Sequence, residues 1–194
     1  GNLAYTLDGN SMCGYESWMF LEGFDPFTYN HAPISGLEIS DPTLKNGKVY
    51  FLTNQYGNTG FETNLNILNG SQAVVVKTFS DGARNLRLLD NGNFVLQAEG
   101  NLWTSDGTTA GTKEIRNFES NLAPNDFIKY DNGYLFFASD ETYSSDIYFT
   151  DGTVGGTRLL GSFGASSQVS PFRITQEPYL AGDVLYFNGN NGFE

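Results

Sequence analysis

The sequence predicts an all-β chain, a β-propeller of about four four-stranded blades, and three observations carry that expectation. A phrase recurs, Leu102-Trp103-Thr104-Ser105-Asp106-Gly107-Thr108 and then Ile147-Tyr148-Phe149-Thr150-Asp151-Gly152-Thr153, 45 residues further on, each followed at the same offset by a second Gly-Thr (Gly111-Thr112, Gly156-Thr157). A second turn signal alternates with it: Asn46-Gly47, Asn91-Gly92, Asn132-Gly133 and Ala181-Gly182, with Gly-to-Gly spacings of 45, 41 and 49. The composition, 16 Phe, 11 Tyr and 23 Gly against only 10 Lys plus Arg, is strand and turn material. No stretch offers helical spacing of apolar residues over three turns.

The elements follow from these signals in order. Each member of the second series precedes an apolar run (Lys48-Val49-Tyr50-Phe51, Asn93-Phe94-Val95-Leu96, Tyr134-Leu135-Phe136-Phe137, Asp183-Val184-Leu185-Tyr186-Phe187). Such a dipeptide before a strand predicts a type I′ hairpin, which needs positive φ at both central residues. The Asp-Gly phrases predict further reversals at Asp8-Gly9, Asn69-Gly70, Asp106-Gly107 and Asp151-Gly152, the acidic side chain bonding its own backbone and Gly taking the left-handed conformation. Two hairpins, hence four short strands, fall in each unit of about 45 residues, which is the size of a propeller blade. Counted from phrase to phrase, the units are about 1–64, 65–101, 102–146 and 147–194, all within one domain. Tyr134-Leu135-Phe136-Phe137 is apolar on both faces, as suits an inner strand between neighbouring blades.

Alternating strand directions would put the Asn-Gly and Asp-Gly turns on one face. The longer segments would then lie on the other: Leu52 to Asn64, Ser139 to Asp146, Asn188 to Glu194 and, above all, Met19 to Gly36. There the Asp-Gly to Asn-Gly spacing swells to 38, against 22, 26 and 30 elsewhere. Residues 1 to about 22 supply the last two strands of a blade and those from about Phe172 the first two of another. Two arrangements fit, a closed ring of four or a piece of a longer array; closure would remove unpaired strand edges.

The phrase Leu-Trp-Thr-Ser-Asp-Gly-Thr-x-x-Gly-Thr resembles the ELWxxDGT repeat family, specifically at residues 100–115 and 145–160. Asn101 and Asp146 stand where that family has its leading Glu. The resemblance implies an exported bacterial protein, extracellular or at the cell surface, with a propeller-like repeat fold and no common activity or catalytic residues to transfer.

The net charge of −12 would repel nucleic-acid phosphates and anionic lipid, and no segment is apolar enough to span a bilayer, so neither nucleic-acid binding nor membrane insertion is expected. Cys13 is the single cysteine and His31 the single histidine, which excludes an internal disulfide and any multi-histidine metal site. Nucleophile-elbow, zinc and phosphate-loop motifs are missing. Calcium is the one cofactor to weigh, at the recurring Asp turns or in the acidic stretch Asp140 to Asp146. A single carboxylate per turn favours a structural role instead. Tyr29, His31, Tyr56, Asp140, Glu141 and Tyr143 are the candidate ligand-face residues, aromatics to stack on sugars or peptide side chains and acids to bind them. The expectation is a non-enzymatic binding or adhesion module meeting a glycan or a protein. A carbohydrate-active enzyme, whose paired carboxylates sequence cannot identify, and a structural link in a surface or secretion assembly with further repeats or subunits are the alternatives.

Overall fold

Turn-forming dipeptides set between runs of Phe, Tyr, Val and Leu produce strands and no helix among the described residues, so no helix there is long and apolar enough to cross a membrane. A computed structural model describes residues 3–11, 14–21, 34–35, 38–57, 60–69, 72–118, 123–138, 144–164, 179–182 and 184–186. The first sheet holds β1 (Leu3–Ser11), β2 (Gly14–Leu21) and β3 (Ile34–Ser35). The second holds β4 (Glu38–Lys45), β5 (Lys48–Gly57), β6 (Gly60–Asn69) and β7 (Gln72–Phe79). The third holds β8 (Ala83–Leu88), β9 (Phe94–Ala98), β10 (Asn101–Ser105) and β11 (Lys113–Arg116). The fourth holds β12 (Asn125–Tyr130), β13 (Gly133–Ala138), β14 (Ser144–Thr150) and β15 (Arg158–Gly164), and the fifth is a hairpin of β16 (Tyr179–Ala181) and β17 (Val184–Tyr186). All pairings are antiparallel, and in each four-stranded sheet spatial order follows chain order. The expected unit of two hairpins is thus complete three times, with β6, β10 and β14, which carry the phrases ending at Asn69, Asp106 and Asp151, as the third strands.

Successive sheets pack face to face. Tyr50, Leu52, Leu65, Val76 and Phe79 of the second sheet share one apolar cluster with Leu86, Phe94 and Leu96 of the third. Val95, Leu102, Ile115 and Phe118 on the opposite face of the third share another with Tyr134, Phe136 and Tyr148 of the fourth. Strands β9 and β13 are buried along their whole length, because alternate residues serve the two faces and both faces are covered. The main contacts between sheets all involve a first strand: β8 packs on β4, β5 and β12, and β4 packs on β2.

Two irregularities recur at fixed places. The first strands β4, β8 and β12 each break register around a residue of positive φ, Asp41 (51°), Asn85 (60°) and Asp126 (49°). The Asp41 carboxylate joins the second sheet to the third, accepting from Asn85 N at 2.8 Å and pairing with Arg87 at 2.9 Å. The outer strands β7, β11 and β15 each carry one extra residue beside the phrase strand, namely Val76, Ile115 and Leu160.

Several turn expectations are corrected. Asn46-Gly47 has positive φ at both residues (51° and 73°), as a type I′ hairpin requires. At Asn91-Gly92 only the glycine does, at 83°. Gly92 N donates to Leu89 O at 2.9 Å and Leu89 N to Asn93 O at 2.8 Å, a type I turn closed by a glycine bulge that Asn91 steadies by accepting from Asn93 N. In the third hairpin the reversal is Asp131-Asn132, one residue earlier than expected, because Gly133 is needed inside the strand: a methyl there would strike the Thr150 carbonyl. Ala181 is likewise the last strand residue, and Gly182 opens the turn.

Asp8-Gly9 is not a reversal. It lies inside β1, paired through Asp8 to Glu16, and the chain turns after Ser11. In sequence, Leu7 and Asn10 stand where the intact phrases have the two hydroxyl residues that close their loops. Asn69 ends β6 and pairs with Gln72, leaving only Gly70 and residue 71 between strands. Leu52 to Asn64 is a ribbon rather than a loop, with pairing continuing to Gly57 and Gly60 and Thr63 donating to Asn54 Oδ1 at 2.8 Å. Strand β2 extends to Leu21 and β3 occupies Ile34–Ser35 within the expected Met19 to Gly36 connection, and β14 begins at Ser144.

Candidate functional site

The two intact phrases fold into the same loop, atom for atom. Asp106 Oδ1 accepts from Thr108 N (2.8 Å) and Thr108 Oγ1 (2.7 Å), and Asp151 Oδ1 accepts from Thr153 N (2.9 Å) and Thr153 Oγ1 (2.7 Å). The same threonine hydroxyls accept from Gly111 N and Gly156 N at 3.0 and 2.9 Å. Ser105 Oγ and Thr150 Oγ1 each accept from the following glycine N–H at 3.0 Å and pair with Thr112 and Thr157 hydroxyls at 2.7 and 2.8 Å. Those second threonines also donate back to Thr108 O and Thr153 O at 2.6 and 2.7 Å. Gly111 and Gly156 are glycine because a Cβ would collide with the Asp106 and Asp151 carboxylates. Hydrogen bonding to Thr108 holds the Asp106 carboxyl below its ordinary range, with Lys45 adding a smaller attraction.

Each loop clasps the sheet before it. Gly107 sits against Tyr50, so close that a methyl would lie 2.7 Å from its hydroxyl oxygen, and Gly152 sits against Leu89 in the same way. Lys45, beside the first hairpin of the second sheet, donates to Asp106 O, and Asn91, in the first hairpin of the third, donates to Asp151 O at 3.2 Å. Thr109 Oγ1 adds a bond to Val76 O at 2.8 Å. The two turn series therefore meet at one edge of the stack. On the outer half of each seam the phrase aromatic meets an aromatic at or just past the end of the preceding outer strand: Trp103 packs edge-on to Phe79 (5.2 Å) and Tyr148 edge-on to Phe118 (5.2 Å). Lys77 and Arg116 lie over those phrase rings at 5.6 and 4.8 Å. Tyr134 closes the third seam contact, donating to Leu88 O at 3.1 Å, and burial pushes its phenol pKa up.

Of the structural-turn residues, Asp106, Gly107, Asp151 and Gly152 come together in these clasps. Asp8 and Gly9 are in a strand, Asn69 ends one, and Gly70 lies outside the described residues. Tyr56 is placed by its backbone near the end of β5, opposite Phe61 and away from the clasps. Tyr29, His31, Asp140, Glu141 and Tyr143 lie outside the described residues, as does Cys13. Among the described residues no group of three or more His, Cys, Asp or Glu side chains gathers to hold a metal. Each clasp aspartate accepts from its own threonine through one oxygen, as a structural turn requires. Sequence reasoning missed the receiving side of the clasp, Tyr50, Lys45, Leu89 and Asn91, and the closing hydroxyls of Ser105 and Thr150. The hydroxyls carried a signal, a Ser or Thr immediately before each Asp; the receivers differ between units and carried none.

Compared with protein-family models and with curated proteins, the chain matches neither.

Proposed function

We propose that this chain is an exported, non-enzymatic binding module of the ELWxxDGT type, in which face-packed four-stranded sheets radiate as propeller blades and present a glycan- or protein-binding face at the edge opposite the clasps. The division of labour between edges carries this reading. The repeated polar groups at one edge are committed to joining sheets, through Asp106 to Thr108 and Lys45 and through Asp151 to Thr153 and Asn91. At the other edge the strand-two to strand-three reversal ranges from Glu99-Gly100, a two-residue turn with positive φ at both positions (51° and 78°), to the stretch between Ala138 and Ser144. A uniform framework with varied segments at one edge is how repeat scaffolds carry recognition. The inter-sheet contacts run along first strands, as they do when blades surround an axis. Glycan-array binding without release of product, weakened by Tyr56→Ala at unchanged melting temperature, is the expected result. Product release would move the reading to a carbohydrate-active enzyme on the same scaffold, and no binding to glycans or to surface proteins would end it.

A further inference from the structure

We infer that the hairpin β1–β2 is the missing outer half of the fifth sheet, and that β1 pairs edge to edge with β17 of the same chain; this rests on the propeller reading above.

In all three complete sheets the second strand pairs with a third strand that carries a phrase. Strand β17 is a second strand by its turn and its place after β16, yet among the described residues it pairs only with β16. Strand β1 is a third strand by its sequence, and among the described residues it pairs only with β2. Exposure marks the gap. Tyr186 is 58% exposed at the position where Tyr50, Val95 and Leu135 are buried. Leu160, the extra residue of β15, is 49% exposed, whereas its counterparts Val76 and Ile115 are 7% and 8% exposed beneath the phrase strand of the next sheet. A phrase strand is thus wanted beside β17 and over β15 at once, and one hairpin in that place supplies both.

The occupant is the chain's own hairpin. Strand β2 already packs against β4, and Val49 and Phe51, on the face of the second sheet that turns away from the third, are buried. The hairpin therefore stands on the side of the stack from which a ring returns to the fourth sheet. Tethering within one chain favours this pairing over capture of a second copy by raising the effective concentration. Register follows from the repeat: Val95 faces Thr104, Leu135 faces Phe149 and Tyr50 faces Ile67, each two residues before the phrase Asp or Asn, so Tyr186 faces Thr6.

The test is a disulfide between Thr6→Cys and Tyr186→Cys in a Cys13→Ser background. Closure predicts a bridge within the monomer that raises the melting temperature under oxidising conditions, while the register-shifted pair Ala4→Cys with Tyr186→Cys stays reduced. Bridges only between chains, or none, overturn it. In the unsubstituted protein, hydrogen exchange at the β17 amides turned away from β16 should be as slow as in β9, and immediate exchange there overturns it as well. Carbodiimide coupling of Lys129 to Asp90, 2.8 Å apart across the seam between third and fourth sheets, separates the two readings. Coupling without a 6–186 bridge rejects closure alone, and loss of both rejects the stack beneath it.

Discussion

At the scale of single residues the clasp depends on glycines for two different reasons, and substitutions should separate them. Gly47 has open space around it and needs glycine only for its φ of 73°, so Gly47→Ala should cost about 1 kcal/mol of backbone strain. Gly107 has φ of 93° and also meets Tyr50, so Gly107→Ala should lose about 2–4 kcal/mol by adding overpacking to strain. Urea unfolding of both variants reads the difference, and Tyr50→Ala should bring the two costs together. Gly111→Ala should be costly without a left-handed φ, because the Asp106 carboxylate occupies the space of its methyl. Asp106 gives a pH signature: its folded pKa lies below the unfolded value, so its stabilisation is present above about pH 4 and is lost as pH falls through the folded pKa. Acid titration of the melting temperature should show a smaller fall below about pH 4 in Asp106→Asn than in the unsubstituted protein. These losses should appear as stability, and a selective loss of ligand binding with unchanged melting would contradict the structural role given to the clasp.

At the scale of elements the sequence made the strands legible and their joints less so. Tyr134-Leu135-Phe136-Phe137 reads as doubly covered because no polar residue interrupts it, and β13 is buried along its length. Asn46-Gly47 reads as a type I′ turn, and is one. The neighbouring Asn91-Gly92 and Asn132-Gly133 look the same in sequence yet turn differently. One has room for an extra residue that Asn91 caps, and the other needs its glycine against the Thr150 carbonyl; such choices depend on a third strand absent from any local window. Asp8-Gly9 misled for the opposite reason: the dipeptide is present, but the hydroxyls at the positions of Ser105 and Thr108 are not, and without them a strand continues. Restoring them by Leu7→Thr with Asn10→Thr should move the reversal towards Asp8-Gly9, with amide shifts at residues 7–14 as the measurement.

At the scale of the whole molecule, the candidate site was legible as a motif and illegible as an interface, because Lys45, Tyr50, Leu89 and Asn91 share a place but no residue type. The sheets are coupled through their seams, so seam chemistry should govern global unfolding. Tyr134 links two sheets through Leu88 O, and its raised pKa means that the bond is intact below about pH 10 and is lost as pH rises through the folded value. Alkaline titration followed at the phenolate absorbance should show a late-ionising component that coincides with a drop in melting temperature, and Tyr134→Phe should remove that component and its share of the drop. The clasp also has a polarity that matters under load. Both the Asp106-Gly107 and the Asp151-Gly152 loops grip the unit that precedes them, so tension applied along the polypeptide reaches these two joints in turn, and a tethered molecule in a flowing medium would yield there as separate catches, each extending the chain by one repeat before the next lets go.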